Sequence, residues 1–291
     1  MKRKVAVIVD APAAVPQEIA DKYEIGIAPL RAIIDGVDYP ETEVDMAWLL
    51  NRLEQKGDVP TTAATSVGEF LVLYERAAEK ADSIVSIHMT GKFTKTYENA
   101  LDARKMCIEK HPGLQIEAVD TETVEAGEMP IALVAAKLAM DGAEFGDVVK
   151  RVYDVRDSMC SLYCFETLFY RDKGGRIFKA KPWAESEEQS STGFKAMIEV
   201  DHSTDGTVQL VARARAKRQL IAKMATIAAD KVGTGKLSGA IVHIRAEEDA
   251  LYLKSLLEDK VDIEEIVISH GRAVTAIQNG MGFVTFGFHS L

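Results

Sequence analysis

The stretch SIVSIHMTGKFTKTYENALDARKMCIE, residues 83–109, decides the fold. Its opening, Ser83 to His88, is an apolar run of strand length, and Thr96 to Glu109 reads as an amphipathic helix. Between them lies Met89-Thr90-Gly91-Lys92-Phe93-Thr94-Lys95, a loop rich in hydroxyls. The next apolar run, Gln115 to Val119, supplies a returning strand. Strand, helix and strand in that order make a crossover unit, which requires a parallel sheet.

The same alternation extends to either side. A strand over Lys4–Val9 leads to a helix opened by Pro16, and Glu24–Pro29 reads as the following strand. Further helices are expected over Met46–Gln55, Glu69–Lys80, Val124–Met140 and Phe145–Ser158. After a strand at Ser161–Phe165 the texture changes to KGGR and then KPWAESEEQSSTG, rich in Glu and Ser. Beyond it, Phe194–Val200 and Thr207–Ala212 flank DHSTDG, whose Asp-Gly ending favours a chain reversal and an antiparallel hairpin. Helices at Ala216–Val232 and Ala246–Glu258 surround a strand at Gly239–Ile244, with late strands at Ile263–Ile268 and Gly282–Phe288. The expected fold class is α/β with two domains. Residues 1–160 form an N-terminal parallel-sheet domain, and residues 161–291 form an α+β domain with a mainly antiparallel sheet.

Composition narrows the function. The chain has 291 residues, 47% of them hydrophobic, with 45 acidic against 35 basic groups and a net charge of -10. That balance repels phosphate backbones and argues against nucleic acid as a partner. Asp10 interrupts the apolar run of MKRKVAVIVDAP too early for a signal peptide, and no stretch reaches the roughly 18 apolar residues of a membrane span. A cytoplasmic protein without stable membrane insertion is expected. Cys107, Cys160 and Cys164 suit no disulfide framework, and the six histidines show no metal-ligand spacing. No metal, no cofactor and no catalytic residue set is expected, since nucleophile-elbow, Walker A, zincin and dinucleotide-binding patterns are all missing.

Two hydroxyl-rich segments remain as candidate binding elements. In Pro60-Thr61-Thr62-Ala63-Ala64-Thr65-Ser66, Ser66 and Glu69 fit a capping box, whereas Thr61 and Thr62 lie too early to cap and are left to line a site. Thr94 sits on the other loop, at the carboxyl end of a parallel strand, where open α/β sheets bind ligands; capping is its alternative role. Hydroxyls and helix amides together can hold a carboxylate. Lys173-Gly174-Gly175-Arg176 reads as a tight turn presenting one guanidinium. Arg213, Arg215, Lys217 and Arg218 read most simply as a solvated basic face.

Taken in order, these landmarks resemble the DegV family of bacterial lipid-binding proteins over essentially the whole chain. VIVDAPAAVP keeps Asp10 and Pro16 of that family's opening motif. Thr62 through Phe70 is similar to its threonine-serine loop before a Glu-Phe helix, and Ile87 through Tyr97 to its Ile-His-Ile-Ser-Ser-x-Leu-Ser-Gly-Thr-Tyr segment. Val119-Asp120-Thr121 resembles its Val-Asp-Ser, and Leu168 through Ile177 its Leu-x-x-Leu-x-x-Gly-Gly-Arg-Ile, with Arg171 in place of the second leucine. Its C-terminal His-x-Gly-Pro-Gly stands here as Gln278-Asn279-Gly280-Met281-Gly282, without the histidine.

The resemblance implies a long-chain fatty acid in a tunnel between the domains. Its carboxylate would be held by Thr62 and Thr94, with Thr61 beside them and Gln278 at the histidine's position. It also implies a carrier rather than an enzyme, one that presents the acid to a dihydroxyacetone-kinase-like fatty acid kinase subunit, with Arg176 at the docking surface. The alternative is an enzyme or phosphotransfer subunit acting on a small phosphorylated or carbonyl compound, with His88, Asp10 and Asp120 as its local acid-base groups.

Overall fold

The computed structural model describes residues 2–55, 59–173 and 193–291. The first sheet contains β1 (Arg3–Asp10), β2 (Gly26–Ala28), β6 (Ala81–His88) and β7 (Gln115–Asp120) in the order β2-β1-β6-β7. All its pairings are parallel. β1 buries Val5, Val7, Ile8 and Val9, as a strand covered on both faces does. The crossover helices include α1 (Gln17–Tyr23), α3 (Val67–Lys80) and α4 (Thr96–Lys110). From β1 the chain steps to β2 on one side and later returns to β6 on the other. The carboxyl ends of β1 and β6 therefore flank a topological switch point, where such sheets open a crevice.

Between β2 and β6 the chain makes an excursion that was not expected. β3 (Arg31–Ile34), β4 (Val37–Pro40) and β5 (Thr61–Ala63) form an antiparallel sheet in the order β4-β3-β5. It is accompanied by α2 (Met46–Glu54), which buries Leu49, Leu50 and Leu53.

After β7, α5 (Glu128–Met140) is buried on nearly every side, and α6 (Phe145–Ser158) packs beside it. The expected helix start at Val124 moves to Glu128. Glu125 takes φ +55°, and residues 125–127 form a tight 3-10 turn instead. α5 touches β1 and β6 of the first sheet as well as strands of the second, so a single helix is sandwiched between the sheets.

The second sheet runs β10-β9-β8-β13-β11-β12, formed by β8 (Cys160–Phe165), β9 (Lys195–Glu199), β10 (Gln209–Ala214), β11 (Lys236–His243), β12 (Asp262–His270) and β13 (Val284–Ser290). Only β11 and β12 pair in parallel; the other pairings are antiparallel. Among the described residues, every strand from Cys160 onward belongs to this sheet. The expected hairpin is present, with Asp205 at φ +54° and Gly206 at φ +63°, the left-handed pair that a tight reversal needs. Helices α7 (Phe169–Lys173), α8 (Lys217–Val232), α9 (Glu247–Glu258) and α10 (Ala273–Asn279) complete the described elements. Lys217 departs from the expected solvated basic face. Its side chain is 11% exposed, pairs with Asp249 at 2.5 Å and donates to the Gly282 carbonyl.

One apolar cluster is built by both halves of the molecule. It takes Ile34 from β3, Leu53 from α2, Phe165 from β8, Tyr170 from α7, Ile277 from α10 and Phe283 before β13. Burial of each such side chain stabilises the fold by about 1.5–3 kcal/mol. This cluster lies beside the hydroxyl loops.

Candidate functional site

The switch point is occupied by a buried pair. Asp10 Oδ1 lies 2.9 Å from His88 Nδ1, and Asp10 Oδ2 accepts from the Met89 amide at 3.0 Å. Both side chains are 0% exposed. Phe70 packs edge-on against the imidazole at 5.0 Å. The pair is sealed from solvent, and through the Met89 amide it fixes the start of the second hydroxyl loop.

That loop is held from below and from across the molecule. Asp120 accepts from the Gly91 amide at 3.1 Å and the Glu122 amide at 2.9 Å. Burial nevertheless raises its carboxyl above the usual range. Thr90 Oγ1 donates to the Gly206 carbonyl, and Lys92 pairs with Asp205 at 3.1 Å, joining the loop to the β9–β10 turn. A Cβ on Gly206 would meet Thr90 Oγ1 at 2.5 Å, so this close approach requires glycine. At the loop's end Thr94 Oγ1 lies 3.0 Å from Thr96 Oγ1 and accepts from the Thr96 amide at 3.3 Å. Thr94 is half-buried and does help to secure the helix start.

The first hydroxyl segment faces the same region. Thr61 and Thr62 lie on β5, the former exposed and the latter half-buried. Ser66 makes the expected capping box with Glu69. Asn99 of α4 donates to the Thr65 carbonyl at 2.8 Å, tying together the two segments that carry Thr62 and Thr94.

Gln278 is brought onto this segment from 216 residues away: its Nε2 donates to Thr62 Oγ1 at 2.7 Å. Its Oε1 is buried without a hydrogen-bond partner among the described residues. A threonine hydroxyl can donate or accept, so a reversed amide would keep the Thr62 bond and turn two donors toward the buried side. The short helix carrying Gln278 is held by Glu41, which accepts from the Val274 and Leu30 amides. Burial raises the Glu41 carboxyl from 4.5 to about 7, against the lowering effect of those amides and of Arg272.

The next residue, Asn279, leads to a charge that sequence reasoning placed only as a departure from the family pattern. Asn279 Oδ1 accepts from Arg171 Nε at 2.9 Å, and its Nδ2 donates to Glu125 Oε1 at 2.6 Å. Arg171 is 7% exposed. Its guanidinium lies 5.1 Å from the Phe165 ring centre and 6.0 Å from that of Phe93. Burial lowers its pKa from the ordinary value, with Glu125 and Tyr163 acting in the opposite direction. The signal was an arginine in an otherwise apolar Leu-Phe-Tyr run, LFYR. Arg176 lies outside the described residues.

Elsewhere, one group has metal-ligand proximity among the described residues. Cys160, Glu199 and Asp201 offer atoms within 4.8 Å of one another. Lys231 already pairs with Glu199 at 3.0 Å, and burial pushes the Cys160 thiol upward, so the group is balanced without an ion. No helix among the described residues is long and apolar enough to cross a membrane.

Comparisons with known proteins agree with this architecture. A DegV domain-containing protein of Clostridium perfringens is 26% identical over 90% of this chain and 91% of its own length. The structure of a DegV family protein from Thermus thermophilus, described by its fatty acid binding, superposes with a TM-score of 0.86 at 23% identity, covering 99% of this chain and 100% of that one. A DegV family protein from Ruminococcus gnavus, solved with vaccenic acid, gives 0.86 at 20% identity over 97% and 99% of the two chains. The family model described as "Uncharacterised protein, DegV family" matches residues 4–290, and the chain belongs to that family.

Proposed function

We propose that this protein binds one long-chain fatty acid, its carboxylate among Thr62, Thr94 and Gln278 and its tail in the apolar cluster shared by residues 1–160 and 161–291. The observation that carries the reading is the Gln278–Thr62 hydrogen bond. It sets a buried amide, with polar capacity to spare, on a hydroxyl segment beside that cluster. Sequestering the tail contributes about 0.8 kcal/mol per CH₂, whereas the head group is tolerated only where its hydrogen bonds are replaced. Affinity thus comes from the tail and orientation from the polar end. A cleft of ≈ 670 Å³, lined in part by Met46, Leu50, His243 and Ile244, offers a route for the tail, since Leu50 and Ile244 also belong to the cluster.

The protein acts as a carrier rather than an enzyme, in the cytoplasm, and presents the acid to a fatty acid kinase subunit that docks at Arg176. The sealing of Asp10 and His88 favours this reading over acid-base chemistry at the switch point. Lipid extraction and native mass spectrometry of the purified protein should show one long-chain acid per chain. Replacing Thr62 and Thr94 together by Val should weaken binding of the acid by about tenfold while leaving the matching fatty alcohol nearly unchanged. Equal losses for both ligands would place the carboxylate elsewhere.

A further inference from the structure

A buried guanidinium is costly unless an anion answers it. Among the described residues, Arg171 makes one hydrogen bond, to the neutral amide of Asn279, and no carboxylate pairs with it directly. Glu125 stands one amide further away. The Phe165 and Phe93 rings, 5.1 and 6.0 Å from the guanidinium, offer it cation–π contact but no anion, so its unbonded N–H groups remain for a planar partner.

The position of the guanidinium is fixed by chain neighbours. Phe93 precedes Thr94. Asn279 follows Gln278, whose amide is bonded to Thr62. Arg171 thereby approaches the loop that carries Thr94 through Phe93 and the helix that carries Gln278 through Asn279. Phe93 and Phe165 also belong to the apolar cluster, so the guanidinium stands at its border, where the head group of an amphiphile sits if its tail is to remain dry. Tyr170, beside it in the chain, is part of that cluster and anchors α7 by donating to the Leu53 carbonyl at 3.1 Å.

We propose that Arg171 is the head-group cation of this site, pairing through its free edge with the carboxylate of the bound fatty acid while Asn279 holds the guanidinium in place. The inference rests on the fatty-acid reading and adds to it the charge that selects an ionised ligand. It also gives the chain a cation where the residue at the histidine position, Gln278, carries none.

The test compares hexadecanoic acid with hexadecanol on the full chain at neutral pH. The wild-type protein should favour the acid, and Arg171→Leu should lose about tenfold to hundredfold in acid affinity while binding the alcohol as well as before or better. Arg171→Lys, which keeps the charge without the planar fork, should retain part of the preference. If the leucine variant does not fold, Arg171→Gln keeps a donor for Asn279 without the charge and gives the same reading. The ratio of acid to alcohol affinity is the decisive quantity, because a purely structural role would shift both ligands together. Acid affinity unchanged in the uncharged variants overturns the assignment and leaves the fatty-acid reading intact. A wild-type protein that binds neither ligand overturns both.

Discussion

Two of the buried polar centres among the described residues differ in one respect. Asp10 and His88, at the carboxyl ends of β1 and β6, answer each other, and Asp10 also takes the Met89 amide. Arg171 and Asn279, between the two halves, are joined to each other, yet among the described residues the guanidinium's one hydrogen-bond partner is a neutral amide. Both centres are almost fully buried. The first is closed around Asp10, whose two oxygens are both engaged, although His88 Nε2 is buried without a hydrogen-bond partner among the described residues. The second, set among aromatic rings and beside a glutamine with an unused acceptor, has the chemistry of a place that receives a ligand. Burial alone therefore does not mark function; a buried cation without an anion beside it is the stronger signal.

Three experiments would break or sharpen this contrast. The largest effect is expected at the closed centre. Asp10→Ala leaves His88 and the Met89 amide buried without their partner, and should lower unfolding free energy by about 3–5 kcal/mol in urea titrations. Unchanged stability there would remove the distinction between the two centres.

The next effect concerns the frame of the open centre. Folding raises the Glu41 carboxyl from 4.5 to about 7, so between those values the folded protein binds more protons than the unfolded chain. Stability should be fullest below about pH 4.5 as far as this group is concerned, and should fall as pH rises through 7. The size is about 3 kcal/mol at full ionisation. Glu41→Gln should flatten this part of the thermal midpoint against pH, and a wild-type profile already flat there would show that the two amides keep Glu41 ionised.

The smallest effect is expected at the first hydroxyl segment. Ser66→Ala removes the capping box of α3 and should cost about 1 kcal/mol by thermal or denaturant unfolding. Acid binding should fall by less than it does on replacing Thr62, because the cap organises the helix and Thr62 faces the site.

Local signals in the chain carried much of the fold. Strand runs followed by amphipathic helices foretold the parallel sheet, and Asp205-Gly206 foretold the hairpin that now braces Thr90. The same signal stood at Asp35-Gly36, both in the left-handed region at φ +54° and +78°, and went unread. Its strands are only four residues long; β3 alternates over just two buried positions, Ala32 and Ile34, and β4 is largely exposed, so the period is too short to read. Helix α10 was hidden for the opposite reason. All seven of its residues are buried, so it has no polar face and no helical period.

The sequence by itself determined the strand and helix alternation of the first sheet, the capping box and the hydroxyl segments, because each depends on residues a few positions apart. Only the tertiary structure decided which distant groups meet. Gln278 reaches Thr62 across 216 residues, and Asn279 links Arg171 to Glu125. Such contacts are set by how α10 packs against α7, α2 and the three-stranded sheet, a relation that no local spacing encodes. Arg171, in the sequence only a departure from the family's second leucine, is buried by that packing against Asn279 and the Phe165 ring, the arrangement on which its proposed head-group role rests.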